Sequence, residues 1–219
     1  MKICALIPVH NESKAIGKVI DLIKKKNLDV VVVNDGSTDG SGDIAKKRGA
    51  IVLTNKPRQG KGFSLRQGFL YAVDNKYDGV ITLDGDGQHS VDDIDGFLNV
   101  KADVGIVVGN RMHNLEGMPW IRIVTNRFMS NLISWACKQK IPDTQCGYRY
   151  ISCDVLKSIT LSCNDFEMET ELLIEASKKG FKIDAAPIKT IYSDEESKIN
   201  PFIDTFRFFS YFLKEILPF

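Results

Sequence analysis

The sequence predicts an α/β fold built on a largely parallel β-sheet. Short apolar runs of strand length recur through the first half of the chain, and segments of helical length separate them. Parallel strands need such crossover connections, and helices commonly supply them. The chain has 219 residues, of which 43% are hydrophobic and 26% charged. It is therefore long enough for one globular domain with a sizeable core.

The apolar runs predict five strands in the first half, at residues 3–9, 28–33, 50–53, 79–83 and 104–108. Helices are predicted between them at residues 15–26, 40–47 and 60–73. Asn11 or Ser13 is expected to cap the first helix. Ser90 and Asp93 form an S-x-x-D pattern, which predicts another helix start after the fourth strand.

The second half is predicted to be more helical. Helices are expected at residues 120–137 and 167–179, with Gly180 ending the second of them, and an extended segment at 145–152. Two short strands, 181–185 and 188–192, are expected on either side of Pro187. Residues 202–219 form an aromatic amphipathic pattern that predicts a final helix.

Composition excludes several classes of protein. A formal net charge of +1 gives no general basis for nucleic-acid binding. The five cysteines include no C-x-x-C pair, so a disulfide framework or zinc site is not expected and a reducing compartment is. The sequence opens without a signal-peptide pattern and contains no run of 18 apolar residues. We therefore expect a cytoplasmic protein without a membrane-spanning helix.

The segment around Asp84 and Asp86 predicts a divalent-cation site. Both residues follow the apolar run 80–83, and alternate side chains of an extended chain lie on one side. Gly85 between them allows close approach to a ligand, and Gln88 adds a neutral oxygen. Two neighbouring carboxylates are unfavourable without a cation between them. An oxygen-only ligand set favours Mg²⁺ or Mn²⁺, although a solvated turn would explain Asp-x-Asp alone equally well.

A second polar cluster follows the second strand. Asp35 stands at its end, where a carboxylate could accept hydrogen bonds from a nucleobase or a ribose. A basic loop at Lys56, Arg58 and Lys61 could meet phosphates or could simply be solvated. Ligands of such sheets bind beyond the carboxyl ends of the strands, so these residues are expected near Asp84.

Several short motifs in order resemble the inverting family 2 glycosyltransferases, which have the GT-A fold. Any one motif is weak, but their order and spacing along nearly the whole chain are specific. The motifs occupy residues 8–12 (PVHNE), 34–39 (NDGSTD), 60–62 (GKG), 84–89 (DGDGQH), 109–111 (GNR), 143–149 (DTQCGYR) and 197–198 (SK). Within that family the chain most resembles the polyprenyl- or dolichyl-phosphate mannose or glucose synthases.

The resemblance implies a division of the chain and a role for its first half. A catalytic domain would span residues 1–200, with a nucleotide-sugar-binding half at 1–111 and an acceptor half at 112–200. The final helix would span residues 201–219. The nucleoside would be bound by the residues that end the first two strands: Pro8, His10, Glu12, Val33 and Asp35.

The resemblance also implies roles around the diphosphate. The metal ligands would be Asp84, Asp86 and Gln88, with Gly85 beside the ribose. The cationic partners of the donor would be Lys61, Arg111 and Lys198. Asp84, Asp86, Arg111 and Lys198 would carry the catalysis. One departure is that such synthases often carry Arg and Gly where this chain has Tyr192 and Glu195, so the choice between a UDP- and a GDP-hexose stays open.

Two kinds of acceptor remain open. A lipid phosphate is already an anion and needs only cations, for which Arg127 and Arg149, and also Arg111 and Arg122, are candidates. A sugar hydroxyl needs a general base, for which the candidates are Asp143, Glu169 and Glu171. Solvation on a helix surface would explain Glu169 and Glu171 as well.

The final amphipathic segment and the motifs leave further alternatives. The segment at 201–219 could lie at a membrane surface, which would make the protein peripheral, or pack on protein. A nucleotidyltransferase would show a Gly-rich basic loop after its first strand, whereas residues 8–12 are acidic and lack glycine. A nucleotide-sugar-binding module without turnover is the non-enzymatic alternative.

Overall fold

The computed structural model describes residues 1–99, 101, 103–189 and 212. Within these residues, seven strands form one mixed sheet: β1 Ile3–Val9, β2 Asp29–Asp35, β3 Ile51–Asn55, β4 Gly79–Thr82, β5 Val104–Asn110, β6 Arg149–Ser152 and β7 Lys182–Pro187. In the described part of the chain up to residue 189, seven helices flank it: α1 Ile16–Lys24, α2 Ser41–Lys47, α3 Lys61–Asp74, α4 Ile94–Leu98, α5 Trp120–Cys137, α6 Cys153–Ser158 and α7 Met168–Lys178. A short 3₁₀ turn, Val91–Asp93, precedes α4.

The strands lie in the order β3-β2-β1-β4-β6-β5-β7, and only β6 runs antiparallel to its neighbours. The predicted α/β fold with a largely parallel sheet is confirmed. The chain leaves β1 toward β2 and β3 and then returns to β4 on the other side of β1. The point between β1 and β4 is therefore a topological switch point, where sheets of this class bind ligands.

Continuous apolar runs explain why β1 and β2 lie inside the sheet. Leu6, Ile7, Val31 and Val32 have no exposed surface, as expected for strands covered by helices on both faces. Helix α1 buries Ile16, Val19, Ile20 and Ile23, the stripe that its sequence presents at helical spacing. The five cysteines are free thiols, four of them buried.

The structure corrects several element predictions. The extended segment predicted at 145–152 does contain a strand, β6, but its insertion between β4 and β5 and the short helix α6 were not predicted. The strand expected at 181–185 extends from Lys182 to Pro187. Proline is tolerated there because β7 is an edge strand. Residues 188 and 189 are not in a strand, and residues 190–192 lie outside the described part of the chain.

The predicted side chains form no capping hydrogen bonds, although a helical segment does begin after Ser90 as predicted. Ala15 precedes α1, and no side chain caps that helix. The side chain of Asn11 instead accepts a hydrogen bond from the Thr38 N–H (2.9 Å), which joins the loops after β1 and β2. Asp93 accepts from the Lys189 N–H (2.7 Å), and the side chain of Ser90 caps nothing. Asn11 and Asp93 therefore bind main-chain groups of distant segments and not those of the neighbouring helix.

The final helix predicted at 201–219 lies outside the described residues except for Phe212, which is helical and buried in the core. Lys198, Tyr192 and Glu195 also lie outside them. Among the described residues, no helix is both long and apolar enough to cross a membrane.

Candidate active site

The loops that follow β1 and β2 are joined at the switch point. The Nδ1–H of His10 donates to the main-chain oxygen of Asp35 (2.7 Å), because a carbonyl can only accept. The Glu12 N–H donates to the hydroxyl of Ser41 (2.8 Å). A Cβ added to Gly85 would lie 3.4 Å from the Glu12 side chain, so the loop after β4 packs against the same place. Three strand ends thus meet at the switch point, where sheets of this class have their ligand crevice.

Asp84 is part of an ion-pair chain that crosses this crevice. The Lys61 ammonium lies 2.8 Å from Asp84 and 2.9 Å from Glu169. The Arg149 guanidinium lies 3.5 Å from the other Glu169 oxygen. The positive charges of Lys61 and Arg149 outweigh desolvation and lower the pKa of Glu169, and the ammonium of Lys61 holds the pKa of Asp84 at about 2. Both carboxylates are therefore ionised at neutral pH.

Asp86 experiences the opposite effect. Burial, together with the negative charge of Asp84, raises the pKa of its carboxyl group. The Gln88 N–H donates to this carboxylate (2.9 Å) and fixes its orientation. A divalent cation would relieve the repulsion between the two aspartates. Among the described residues no three His, Cys, Asp or Glu side chains cluster as a closed metal cage. Two carboxylates with neutral oxygens suit Mg²⁺ or Mn²⁺ that keeps positions open for phosphate oxygens.

His89 supports this loop, and the sequence interpretation gave it no role. Its Nδ1 accepts from the Asp84 N–H (3.2 Å), so the neutral ring carries its proton on Nε2. The ring stacks on Tyr148 at 4.9 Å. Burial lowers the pKa of His89, which keeps Nδ1 available as an acceptor. The D-x-D-x-x-H spacing was the only sequence signal for this contact.

Asp35 is buried and organises the basic loop. Its carboxylate accepts from the N–H groups of Gln59 (2.8 Å) and Gly60 (2.9 Å) and from the Asn55 amide (3.0 Å). Gly60 has φ +103°, and a Cβ there would lie 2.6 Å from the Asn164 carbonyl oxygen. Asp35 therefore fixes the entry to α3 and, through it, the position of Lys61.

Arg111 and Asp143 form a two-point ion pair at the end of β5. The Nε and Nη2 groups of Arg111 donate to the two Asp143 oxygens at 2.8 and 2.9 Å. The main-chain N–H groups of Arg111 and Gln145 donate to the same carboxylate (3.1 and 3.2 Å). Asp143 has no exposed surface. Its lone pairs are therefore occupied by four donors, and its carboxylate serves to position Arg111.

Comparison with known proteins agrees with this geometry. The sequence model described as "Glycosyl transferase family 2" matches residues 4–160. The chain belongs to glycosyl transferase family 2. The match contains the ends of β1, β2, β4 and β5, that is, every loop of the crevice described above. The predicted family and the prediction of an enzyme are confirmed.

Relatives of this family 2 glycosyltransferase extend over most of its length. An uncharacterized protein of Methanocaldococcus jannaschii, MJ1222, is 34% identical, covering 88% of this chain and 83% of its own. The UDP-N-acetylglucosamine–dolichyl-phosphate N-acetylglucosaminyltransferase of Methanococcus voltae is 29% identical. That alignment covers 86% of this chain and 85% of the relative. Among solved structures, glucosyl-3-phosphoglycerate synthase of Mycobacterium tuberculosis in complex with Mn²⁺, UDP and phosphoglyceric acid superimposes with a TM-score of 0.73 at 17% sequence identity. The superposition covers 99% of this chain and 77% of the synthase. This likeness confirms the GT-A fold.

The structure brings most predicted site residues of the glycosyltransferase together, but not all of them. Val33 is completely buried in β2, so any contact with a base would use its main chain. Arg149 is 1% exposed and donates to the carbonyl oxygens of Cys146, Thr144 and Glu169. Such a guanidinium positions the 144–149 loop and Glu169 and is poorly placed for an acceptor phosphate. Arg122 and Arg127 are exposed on α5.

The interpretation of Glu169 and Glu171 as solvated helix-surface residues was wrong. Glu171 is 4% exposed and accepts from the N–H and hydroxyl of Ser162 and from the Cys163 N–H (2.7–3.0 Å). Glu169 is held by Lys61 and Arg149. Helical periodicity shows which residues share a face, but it does not show what packs on that face.

Replacing Lys61 by methionine is expected to change how stability depends on pH. A lowered folded-state pKa contributes stability that is present above the unfolded-state pKa and is lost as pH falls through the folded-state pKa. For Asp84 this window extends from the ordinary value of 3.8 to about 2. Without the ammonium, the pKa values of Asp84 and Glu169 should rise, and the decline in stability should move to higher pH. Urea unfolding between pH 7 and pH 2 measures this.

An exposed lysine on another helix provides the control for that experiment. Lys47 is exposed at the end of α2, and Lys47→Met should leave the pH profile unchanged. A Lys61→Met profile that superimposes on the wild type would show that Lys61 does not stabilise the two carboxylates.

Proposed function

We propose that the protein transfers a hexose from a nucleoside-diphosphate sugar to a polyprenyl-type phosphate, with inversion and with a bound divalent cation. Asp84 and Asp86 would hold Mg²⁺ or Mn²⁺, with Gln88 as a neutral ligand. The cation would supply charge stabilisation for the departing diphosphate. Lys61 keeps Asp84 ionised, and Glu169 and Arg149 hold Lys61 in place.

The proposed donor contacts follow from the crevice. The base and ribose would lie between the loops after β1 and β2, near Pro8, His10, Glu12 and Asp35. The relative that takes UDP-N-acetylglucosamine and the neighbour solved with UDP and Mn²⁺ support a nucleotide-sugar donor and a metal. Lys198 would add a cation to the diphosphate, a proposal that rests on its S-K motif.

One observation favours a phosphate acceptor: the three carboxylates proposed from the sequence as a general base for a hydroxyl are all engaged. Asp143 accepts from four donors, Glu171 from three, and Glu169 is paired with two cations that lower its pKa. A base needs a free lone pair and a pKa near the working pH. A lipid phosphate is already ionised and needs neither.

The proposed reaction is then a single displacement. A phosphate oxygen of the acceptor forms the new bond to the anomeric carbon. The bond from that carbon to the donor diphosphate breaks, and its electron pair leaves on the nucleoside diphosphate. Arg111, which Asp143 holds rigidly, is the described cation best placed at the strand ends to meet one of these phosphates.

A matched pair of acceptors tests this proposal. The protein is incubated with labelled UDP- or GDP-hexose, Mn²⁺, and either polyprenyl phosphate or the polyprenol that lacks the phosphate. We expect label in the organic phase with the phosphate only, and its loss with EDTA. Transfer to the polyprenol or to a saccharide would contradict the phosphate acceptor and support a hydroxyl acceptor. Metal-dependent nucleotide binding without transfer to any acceptor would favour a binding module.

A further inference from the structure

The outer face of α5 exposes an unusual amount of apolar surface. We define this face by Trp120, Ile121, Val124, Phe128 and Trp135, which are between 54% and 73% exposed. They are five of the seven large hydrophobic side chains that are exposed among the described residues. Their spacing along the helix places all five on one side. Apolar surface concentrated in this way usually marks an interface.

The inner side of the same helix buries two polar residues, together with Ile133 and Cys137. Asn126 and Ser130 are buried there, and the Ser130 hydroxyl accepts from the Thr144 N–H at 2.9 Å. A helix whose only partner is the domain would carry its large apolar side chains on the inner side. The large apolar side chains on the outer face of α5 therefore point to a second partner.

The charge of this region identifies the chemistry of that partner. Residues 117–142 contain no Asp or Glu but contain four cations, Arg122, Arg127, Lys138 and Lys140, in a chain whose net charge is only +1. Three of these cations line a groove of about 340 Å³ beside Trp135. Ser134 and Asn131 add hydrogen-bonding groups to the groove. An apolar stripe with a cationic groove beside it suits a ligand with an apolar body and an anionic head.

We propose that the outer face of α5 lies on an anionic lipid bilayer. Trp120, Phe128 and Trp135 enter the interfacial layer, and Arg127, Lys138 and Lys140 bind headgroup phosphates. A second copy of the chain would bring two positive grooves together, which disfavours it as the partner. Phe212 is already buried in the core, so at that residue the C-terminal segment packs on the protein. This proposal rests on the proposed function in one respect. The proposed acceptor is a lipid that resides in a bilayer, so a bilayer-binding surface would bring the enzyme to it.

Sedimentation of the full chain with vesicles tests this surface without any donor or acceptor. The vesicles contain phosphatidylcholine with or without phosphatidylglycerol. We expect binding only when the anionic lipid is present. Lys138→Gln with Lys140→Gln should weaken it roughly tenfold to thirtyfold, since each basic residue near such a surface contributes about a fivefold factor. Trp120→Ser with Phe128→Ser should weaken it at least as much.

Matched variants elsewhere on the surface are the controls. Lys46→Gln with Lys47→Gln removes two exposed lysines from α2, and Leu70→Ser removes an exposed apolar side chain from α3. These variants should bind like the wild type, and unchanged circular dichroism would show that every variant folds. The proposal would be overturned if the wild-type protein did not bind anionic vesicles, or if the control variants lost as much binding as the α5 variants. So would a dimer that the Trp120 and Phe128 changes dissociate, in the absence of vesicle binding. Vesicle binding without sugar transfer would support the membrane-binding surface and contradict the proposed function.

Discussion

Replacing Asp86 by alanine is expected to reduce sugar transfer at least about 10²- to 10³-fold, the loss that follows removal of one preorganised electrostatic group from an active site. The effect should be this large because Asp86 sits beside the ionised Asp84 and only the pair presents enough negative charge to hold a divalent cation. Metal-dependent nucleotide binding should be lost together with transfer. The fold should remain or become slightly more stable, since the change removes carboxylate repulsion.

Asp92 provides a matched control in the turn that follows the same loop. It is exposed, and Asp92→Ala removes a negative charge without touching the crevice. Transfer rates with Mn²⁺ in excess should match the wild type for this variant. An Asp86→Ala protein that keeps wild-type transfer and metal dependence would remove Asp86 from the proposed metal site.

Asp143→Ala is expected to lower the free energy of unfolding by about 3 kcal/mol, the lower end of the range for breaking a buried ion pair. The loss leaves the Arg111 guanidinium and the N–H groups of Arg111 and Gln145 without their acceptor. The lower end applies because the Arg111 side chain keeps 17% of its surface exposed and can recover some hydration. Urea unfolding of the two proteins measures the difference.

The exposed pair of Lys182 and Asp103 is the comparison for this measurement. Its nitrogen and oxygen are equally close, 2.8 Å, but both side chains are 61% exposed, so Asp103→Ala should have little effect. Equal stability losses for the two variants would contradict the view that burial determines the strength of the Arg111–Asp143 pair. Nucleotide binding by the surviving folded Asp143→Ala protein would show whether a rigid Arg111 is needed.

The sheet could be predicted from the sequence because its strands are continuous apolar runs separated by helices. The carboxyl ends of β1, β2, β4 and β5 meet at one edge for that reason, and Asp35, Asp84 and Arg111 are brought together there. The insertion of β6 between β4 and β5 could not be predicted. Segment 145–152 looks extended, but nothing local states which strand it pairs with or in which direction.

The buried ion pairs of the site could not be predicted from the sequence either. Lys61, Glu169 and Arg149 come from three distant segments, and each is of a residue type that is normally exposed. Their burial depends on mutual neutralisation, which only the tertiary structure reveals. The same reason explains why Arg149 was predicted to meet an acceptor phosphate although it donates to three main-chain carbonyls.

Binding of UDP and GDP to the wild-type chain, each with Mn²⁺, Mg²⁺ or EDTA, tests the central proposal most directly. A nucleotide present at 100 times its Kd should stabilise the fold by about 2.7 kcal/mol, which thermal unfolding detects readily. We predict stabilisation by one of the nucleotides that requires the metal and disappears in Asp86→Ala. Stabilisation by neither nucleotide under any metal condition would contradict a nucleotide-sugar site at the ends of β1, β2 and β4.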